Sequence, residues 1–399
     1  MPSPKPHIAI LGAGPTGLEA ALAAIDGGFP FTLYEAAPQV AGSVREWGHV
    51  RLFTPWEMNV SPRMRRHLEA AGIGAPSGDS CPTGADLARE LFEPIAALPE
   101  VAPHLRLGTR VLAVGREGLL KHEEIASAER SRRPFRLLVS GPGGESVEHA
   151  DQVFDATGTW QGPNRLGDGG IPAAGEAALD AEILRHVPDV AGNATDWAGK
   201  RILLVGGGHS AHTALRDLAE LARAAPQTRI LWALRSPWNG NVDDADPLPE
   251  RANLTARASA LARGDSPNVE VVTGAHVEAV AKPNGRFEVT LRTPAGPRTE
   301  EVDRILSLTG YVGDFGLYRQ LQVHECYATS GPMKLSAALL GAGGGDCLAQ
   351  TSHGAETLTN PEPGFFLLGS KSYGRNNTFL MRVGWEQVGE VFGILGGAA

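Results

Sequence analysis

The chain has 399 residues, room for two or three packed domains, and its 42% hydrophobic and 20% charged content excludes wholesale disorder. Lys plus Arg at 36 against Asp plus Glu at 45 leaves a formal charge of −9, the wrong sign for neutralising nucleic-acid phosphates, so no nucleic-acid partner is expected. Fifty glycines without a collagen-like period imply many places of close backbone approach or positive φ.

The first forty residues carry the clearest pattern. Residues 7–11 form a short β-prone run that enters Gly12-Ala13-Gly14-Pro15-Thr16-Gly17. Residues 18–25 follow with helical spacing, and residues 31–34 form a second strand ending at Glu35. This is a β-α-β unit with a dinucleotide-type turn. Gly12 makes the tight turn, Gly14 lets backbone approach a pyrophosphate, and Gly17 permits close helix packing. The helix start supplies N–H groups and positive dipole, and Glu35 stands where a carboxylate would take ribose hydroxyls.

Further on, residues 105–114 and 135–139 alternate as strands, and residues 152–155 run into Ala156-Thr157-Gly158. The stretch before that last strand reads as an antiparallel insert. A second β-α-β unit then begins: strand 202–205, turn Gly206-Gly207-Gly208-His209-Ser210-Ala211, helix 213–222, and strand 229–234 closing on Arg235. Alanine is permitted at the third glycine position. An arginine after the second strand favours a 2′-phosphate, hence NADPH over NADH. His209 is placed to face nicotinamide or pyrophosphate, whereas His212 reads as helix surface. Strands at 269–272, 287–291 and 304–308 follow, the last running into Thr309-Gly310; strand 364–368 precedes Gly369-Ser370 and an apolar helix at 379–395. Residues 141–144 and 341–345 read as glycine-rich loops. The expected fold is α/β, with two Rossmann-like dinucleotide-binding domains: FAD on residues 1–165 and 306–399, and NADPH on the inserted residues 166–305.

The motifs GAGPTG, Glu35, Asp155-Ala156-Thr157-Gly158, GGGHSA, Leu308-Thr309-Gly310 and the late strand-GS together resemble two-dinucleotide-domain flavoproteins. That group holds thioredoxin reductases, flavin-containing monooxygenases and amine N-hydroxylases. The resemblance covers most of the chain and implies FAD and NADPH as cofactors. It implies FAD contacts from Gly12, Gly14, Gly17, Glu35, Val111, Gly158, Gly369, Ser370 and Thr378, and NADPH contacts from Gly206, Gly208, His209, Ser210 and Arg235. Residues 41–48, AGSVREWG, resemble a stretch lying along FAD in flavin-containing monooxygenases, with Ala41 replacing the first glycine. Arg45 and Trp47 are therefore expected at FAD, with Trp47 as ordinary core the alternative. Many relatives carry Gly-Asp where Gly369-Ser370 stands. Gly169, Ile171, Pro172, Gly175, Glu176 and His186 resemble, in degraded form, the segment preceding the NADPH domain in the monooxygenases. Residues 375–382 are similar to the amine N-hydroxylase tail, where a helix start approaches the flavin; Thr378 or Asn377 is expected to cap that helix, with Asn377 at the catalytic centre.

A dithiol reductase needs two thiols beside its flavin, usually as CxxC, and none is present. Cys81, Cys326 and Cys347 are too few and too scattered for a secreted disulfide scaffold. The start does not read as a signal peptide, and no apolar run reaches the roughly 18 residues of a membrane span. A cytoplasmic enzyme away from membranes is expected. Electrons taken from NADPH then go to molecular oxygen, and the resulting flavin hydroperoxide attacks a small N- or S-containing substrate. Residues 341–354 are a lid candidate. Two alternatives stand beside this: a reductase or thiol oxidase using Cys326 and Cys347, and a non-catalytic FAD-binding redox sensor. His324, Glu325, Cys326 and His353 could bind a soft metal, whereas Asp243, Asp244 and Asp246 read as a solvated loop; no metal is expected.

Overall fold

The computed structural model describes residues 4–238, 246–342 and 346–397. Contacts divide the chain into two compact units, Met1–Gly48 with Pro55–Gly162 and Val312–Ala399, and His49–Thr54 with Pro163–Tyr311. The changeovers fall a few residues from the 165/166 and 305/306 borders expected from sequence. The short strap His49–Thr54 carried no signal: it joins the second unit through His49 Nε2, 3.1 Å from Val187 O, and through Val50, packed on that unit's core.

In the first unit the chain forms β1 (Ile8–Leu11), α1 (Pro15–Gly27), β2 (Phe31–Tyr34), α2 (Gly42–Glu46), α3 (Pro62–Ala70), β3 (Leu105–Arg106), β4 (Arg110–Arg116), β5 (Phe135–Gly141), β6 (Gly144–Ala150) and β7 (Gln152–Asp155). The second unit holds β8 (Arg201–Val205), α4 (His209–Ala224), β9 (Arg229–Leu234), α5 (Pro249–Ala262), β10 (Val269–Thr273), β11 (His276–Ala281), β12 (Phe287–Thr293), β13 (Gly296–Val302) and β14 (Arg304–Ser307). The first unit is completed by α6 (Met333–Gly341), β15 (Phe365–Leu367) and α7 (Met381–Gly397).

Each unit pairs a parallel sheet with a small antiparallel one. The first has the parallel order β15-β7-β1-β2-β3 and the antiparallel order β4-β5-β6; the second has β10-β9-β8-β14 and β11-β12-β13. Every residue of β1 and β2 is buried, as expected of parallel strands covered on both faces. Helix α1 begins at Pro15, earlier than its apolar spacing suggests, because proline is pre-set for the first turn.

The run at 105–114 is not one strand. Gly108, at φ 61°, breaks it, so Leu105–Arg106 joins the parallel sheet and Arg110–Arg116 starts the antiparallel one. The turn closes on the end of β2, where the N–H of Thr109 donates to Glu35 O at 2.8 Å. Residues 141–144 form the tight hairpin turn in which Gly141 ends β5 and Gly144 starts β6. Strands β6, β11 and β13 escaped notice because their outer faces are polar and weaken the apolar alternation.

Candidate cofactor-binding sites

In the first unit β1, β7 and β15 run parallel, so the turns after them gather at one sheet edge, the place where open α/β sheets take ligands. The glycines there have separable roles. At Gly12, φ 96°, a Cβ would come 2.8 Å from Ala156 O; at Gly17 it would lie 1.8 Å from Gly12 O; at Gly14 it would meet nothing within 4 Å. Turn, close packing and open approach thus belong to three different glycines. No side chain caps α1, so its leading N–H groups face that open approach.

Glu35 ties this cradle to β2: Oε2 accepts from Ala13 N–H and Oε1 from Ala37 N–H, both at 2.9 Å. Burial pushes its carboxyl upward, while those two hydrogen bonds favour the charged form. Each oxygen keeps lone-pair capacity for a ribose hydroxyl. Replacing Glu35 by Ala is expected to weaken FAD binding by roughly 10- to 100-fold, the loss of a charged hydrogen-bond acceptor, measurable by flavin fluorescence titration of the apoprotein.

The other two turns converge on the same edge. A Cβ at Gly158 would lie 3.7 Å from Ser370 Oγ, and one at Gly369 would lie 2.7 Å from Thr16 Oγ1. Two buried groups absent from the sequence reading lock this arrangement. Lys371 Nζ donates to Asp155 Oδ2 at 2.6 Å and Thr157 Oγ1 at 3.1 Å, joining the turn after β7 to the turn after β15, with the ion pair wholly excluded from solvent. Gln387 of α7 accepts from Gly369 N–H at 2.9 Å and donates to Ser372 Oγ at 2.9 Å.

The other expected residues of this unit have the following surroundings. Ala41 is at φ 57°, a left-handed conformation that glycine adopts without strain. Arg45 is engaged locally, donating to Val40 O at 2.9 Å and pairing with Glu93. The Trp47 ring packs on Gly84, where a Cβ would lie 2.6 Å from it. Val111 packs against the core beneath β4. Thr378 does not cap α7, which starts at Met381; its hydroxyl donates instead to Asn376 Oδ1 at 2.7 Å. Asn377 is exposed in the preceding loop.

No disulfide joins Cys81, Cys326 or Cys347. Cys326 is buried in a tight turn, where the Thr329 hydroxyl, followed by the N–H groups of Thr329 and Ala328, draws its thiol below the usual range. Cys347 begins a short turn. Arg382 of α7 donates to Gln350 O at 2.6 Å, and Ser352 N–H reaches Glu386 at 2.8 Å, so the later part of the lid candidate is held against α7; residues 343–345 lie outside the described residues.

The second unit repeats the cradle. A Cβ at Gly206, φ 135°, would lie 2.2 Å from Leu308 O, and one at Gly208 would meet nothing within 4 Å. Ala211 is buried against the core and fits where a third glycine was expected. No side chain caps α4, His209 is exposed at its start beside Ser210, and Arg235 is exposed just beyond β9. His212, expected on the helix surface, is buried among Trp232, Trp238 and His209. Glu176 of the degraded segment is a buried anchor, accepting from Leu166 and Ala173 N–H and pairing with Arg185 at 2.8 Å. His186 stacks on Tyr311 with ring centroids 5.5 Å apart. Asp246 pairs with Arg251 at 2.7 Å, while Asp243 and Asp244 lie outside the described residues. Among the described residues no group of three His, Cys, Asp or Glu could hold a metal ion, and no helix is long and apolar enough to cross a membrane.

Two strand–glycine turn–helix cradles, the first tied to the next strand through Glu35, define a protein with two dinucleotide-type units. Residues 6–326 match the family model of pyridine nucleotide-disulphide oxidoreductases, and the chain belongs to that family. It is an oxidoreductase whose cofactors are FAD and NADPH, and the open cradles at Gly14 and Gly208 fit dinucleotide pyrophosphates. No curated protein sequence matches the chain significantly. Among solved structures, a bacillithiol disulfide reductase from Bacillus cereus superimposes with a TM-score of 0.71 at 15% identity, covering 99% of this chain and 100% of that one. An ornithine N-hydroxylase from Kutzneria sp. 744 gives 0.64 at 16% identity, covering 99% and 100%. A variant of a flavin monooxygenase from Stenotrophomonas maltophilia gives 0.60 at 18% identity, covering 99% and 100%. At such identities these likenesses speak to fold.

Proposed function

We propose that the protein is an NADPH-dependent flavoprotein monooxygenase that takes molecular oxygen and a small N- or S-containing nucleophile. The observation that supports this reading is the spacing of the thiols: no two of Cys81, Cys326 and Cys347 stand as CxxC. The likeness to N-hydroxylases and a flavin monooxygenase agrees with it. Bound flavin would accept a hydride from NADPH and pass electrons to the acceptor.

In this reading the first unit holds FAD and the second holds NADPH. Gly12, Gly14 and Gly17 shape the FAD pyrophosphate cradle, and Glu35 takes the adenosine ribose. Gly158, Gly369 and Ser370 line the adjoining edge, and Lys371 and Gln387 position that edge. Gly206, Gly208, His209 and Ser210 cradle NADPH, with Arg235 at its 2′-phosphate. Asn377 and Thr378 stand in the loop entering α7 and are the side chains we assign to the reacting end of the site.

A second reading, reduction or oxidation of a thiol substrate, is favoured by the hydrogen-bonded turn that lowers the Cys326 thiol. It too has a structural counterpart in the bacillithiol disulfide reductase. The FAD-loaded wild type and a Cys326→Ser/Cys347→Ser variant separate the two. With amines, sulfides and thiols under oxygen and then anaerobically, oxygenated product that forms equally in both proteins and disappears without oxygen is expected. Anaerobic NADPH-dependent turnover that the serine variant loses would overturn the oxygenase reading in favour of thiol chemistry. Failure of NADPH to bleach the flavin at all would leave a sensor.

A further inference from the structure

His212 lies at the head of α4 and is 6% exposed, yet both of its ring nitrogens are buried without a hydrogen-bond partner. The Gly207 carbonyl approaches closely enough to favour protonation, but outside hydrogen-bond geometry. Burial first, and the neighbouring His209 second, pull the imidazole down to about 4, so at neutral pH the ring carries one N–H donor and one bare acceptor. Its neighbour Trp238, with ring centroids 5.3 Å away, has a buried indole N–H that is likewise unpartnered. Trp232 in the same cluster shows the ordinary solution, donating its indole N–H to Gly206 O at 2.8 Å. Buried side-chain polar atoms are nearly always paired, so unused groups on two touching rings point to a ligand rather than to packing alone.

Their place in the unit says which ligand. His212 is on the first turn of α4, immediately after the Gly206–Gly208 cradle, and Trp238 follows Arg235 in the loop leaving β9. In a dinucleotide fold the helix start takes the pyrophosphate and the end of the second strand takes the adenosine ribose. We propose that His212 and Trp238 form a neutral donor pair that, alongside Arg235, reads the 2′-phosphate of NADPH. This rests on the assignment of NADPH to the second unit. The guanidinium supplies charge, while the two ring N–H groups supply direction without adding a second buried charge, and they discriminate a phosphate from the hydroxyl of NADH.

Isothermal titration of the FAD-loaded protein with 2′,5′-ADP and with 5′-AMP tests this in wild type, His212→Phe, Trp238→Phe and Arg235→Ala. Both ring variants are expected to weaken 2′,5′-ADP by roughly tenfold, one charge-assisted hydrogen bond each, and to change 5′-AMP by less than about twofold. Unchanged 2′,5′-ADP affinity, or an equal loss for both probes, would overturn the inference. Should His212→Phe fail to fold, Trp238→Phe decides. Wild type that binds neither probe would sink the NADPH assignment itself; loss in Arg235→Ala with normal ring variants would sink only the role of the rings.

Discussion

Gly17→Ala is expected to purify as folded but colourless protein. Its added Cβ would sit 1.8 Å from the Gly12 carbonyl oxygen, a backbone atom that cannot rotate away, so α1 has to move off the turn. Overpacking of this kind costs about 1–3 kcal/mol, which a domain of ordinary stability survives. The cradle does not survive it, because the first-turn N–H groups are useful to a pyrophosphate only at hydrogen-bond distance. A fall of at least about 100-fold in FAD affinity should follow, about 2.7 kcal/mol, read from the flavin-to-protein absorbance ratio after desalting. Gly14→Ala is the informative partner, since its Cβ meets no protein atom within 4 Å. The apoprotein of that variant should melt as wild type does and still bind FAD poorly, because the methyl group occupies the approach itself. Stoichiometric FAD in Gly17→Ala would show that the turn does not hold the cofactor.

Glu362→Gln should cost more stability than any other conservative change in the first unit. The Glu362 side chain is fully buried: Oε1 accepts from Arg116 Nε at 2.8 Å, and Oε2 accepts from Arg130 Nη2 at 2.7 Å and from Gln322 N–H at 2.8 Å. Both arginine side chains are only 1% exposed, and the Arg116 guanidinium lies 3.6 Å from the centroid of the Phe135 ring. An amide keeps the size of the group but removes the one negative charge between two buried cations, and it presents a donor where only an acceptor fits. Burial already drives the Arg116 guanidinium below its ordinary pKa, and the Glu362 carboxylate opposes that shift. Breaking a buried pair from one side costs about 3–5 kcal/mol, a large part of a typical 5–15 kcal/mol stability. Urea denaturation should show a lower midpoint at unchanged slope. Replacing all three residues together, with Glu362→Leu, Arg116→Met and Arg130→Met, should recover most of the loss, because uncharged side chains carry no desolvation penalty. A single variant as stable as wild type would mean that water reaches the triad.

These two sites differ in how they could be read in advance. The cradle at Gly12, Gly14 and Gly17 is a demand on consecutive backbone: a turn at positive φ, a helix packed against it and an open approach, each satisfied by a residue a few positions from the next. Glu35 and Arg235 follow the same logic, since each sits where its strand ends. Such local requirements leave a mark in a single sequence, and for that reason both β-α-β units were visible there.

The Glu362 triad, the Asp155–Lys371 pair and Gln387 leave no such mark. Asp155 and Lys371 are far apart in sequence and meet only because β7 and β15 are neighbours in the sheet. The same holds for His212, whose helix position is compatible with solvent until Trp232 on β9 and Trp238 beyond it close over the ring. Likewise, alternation at 105–114 suggests one strand, whereas Gly108 lets the chain leave one sheet and enter another. Chain neighbours dictate turns and cradles through steric limits on φ and ψ. Which charges are buried, and against what, depends on strand order, because desolvation and pairing act between atoms that only the finished fold brings within reach.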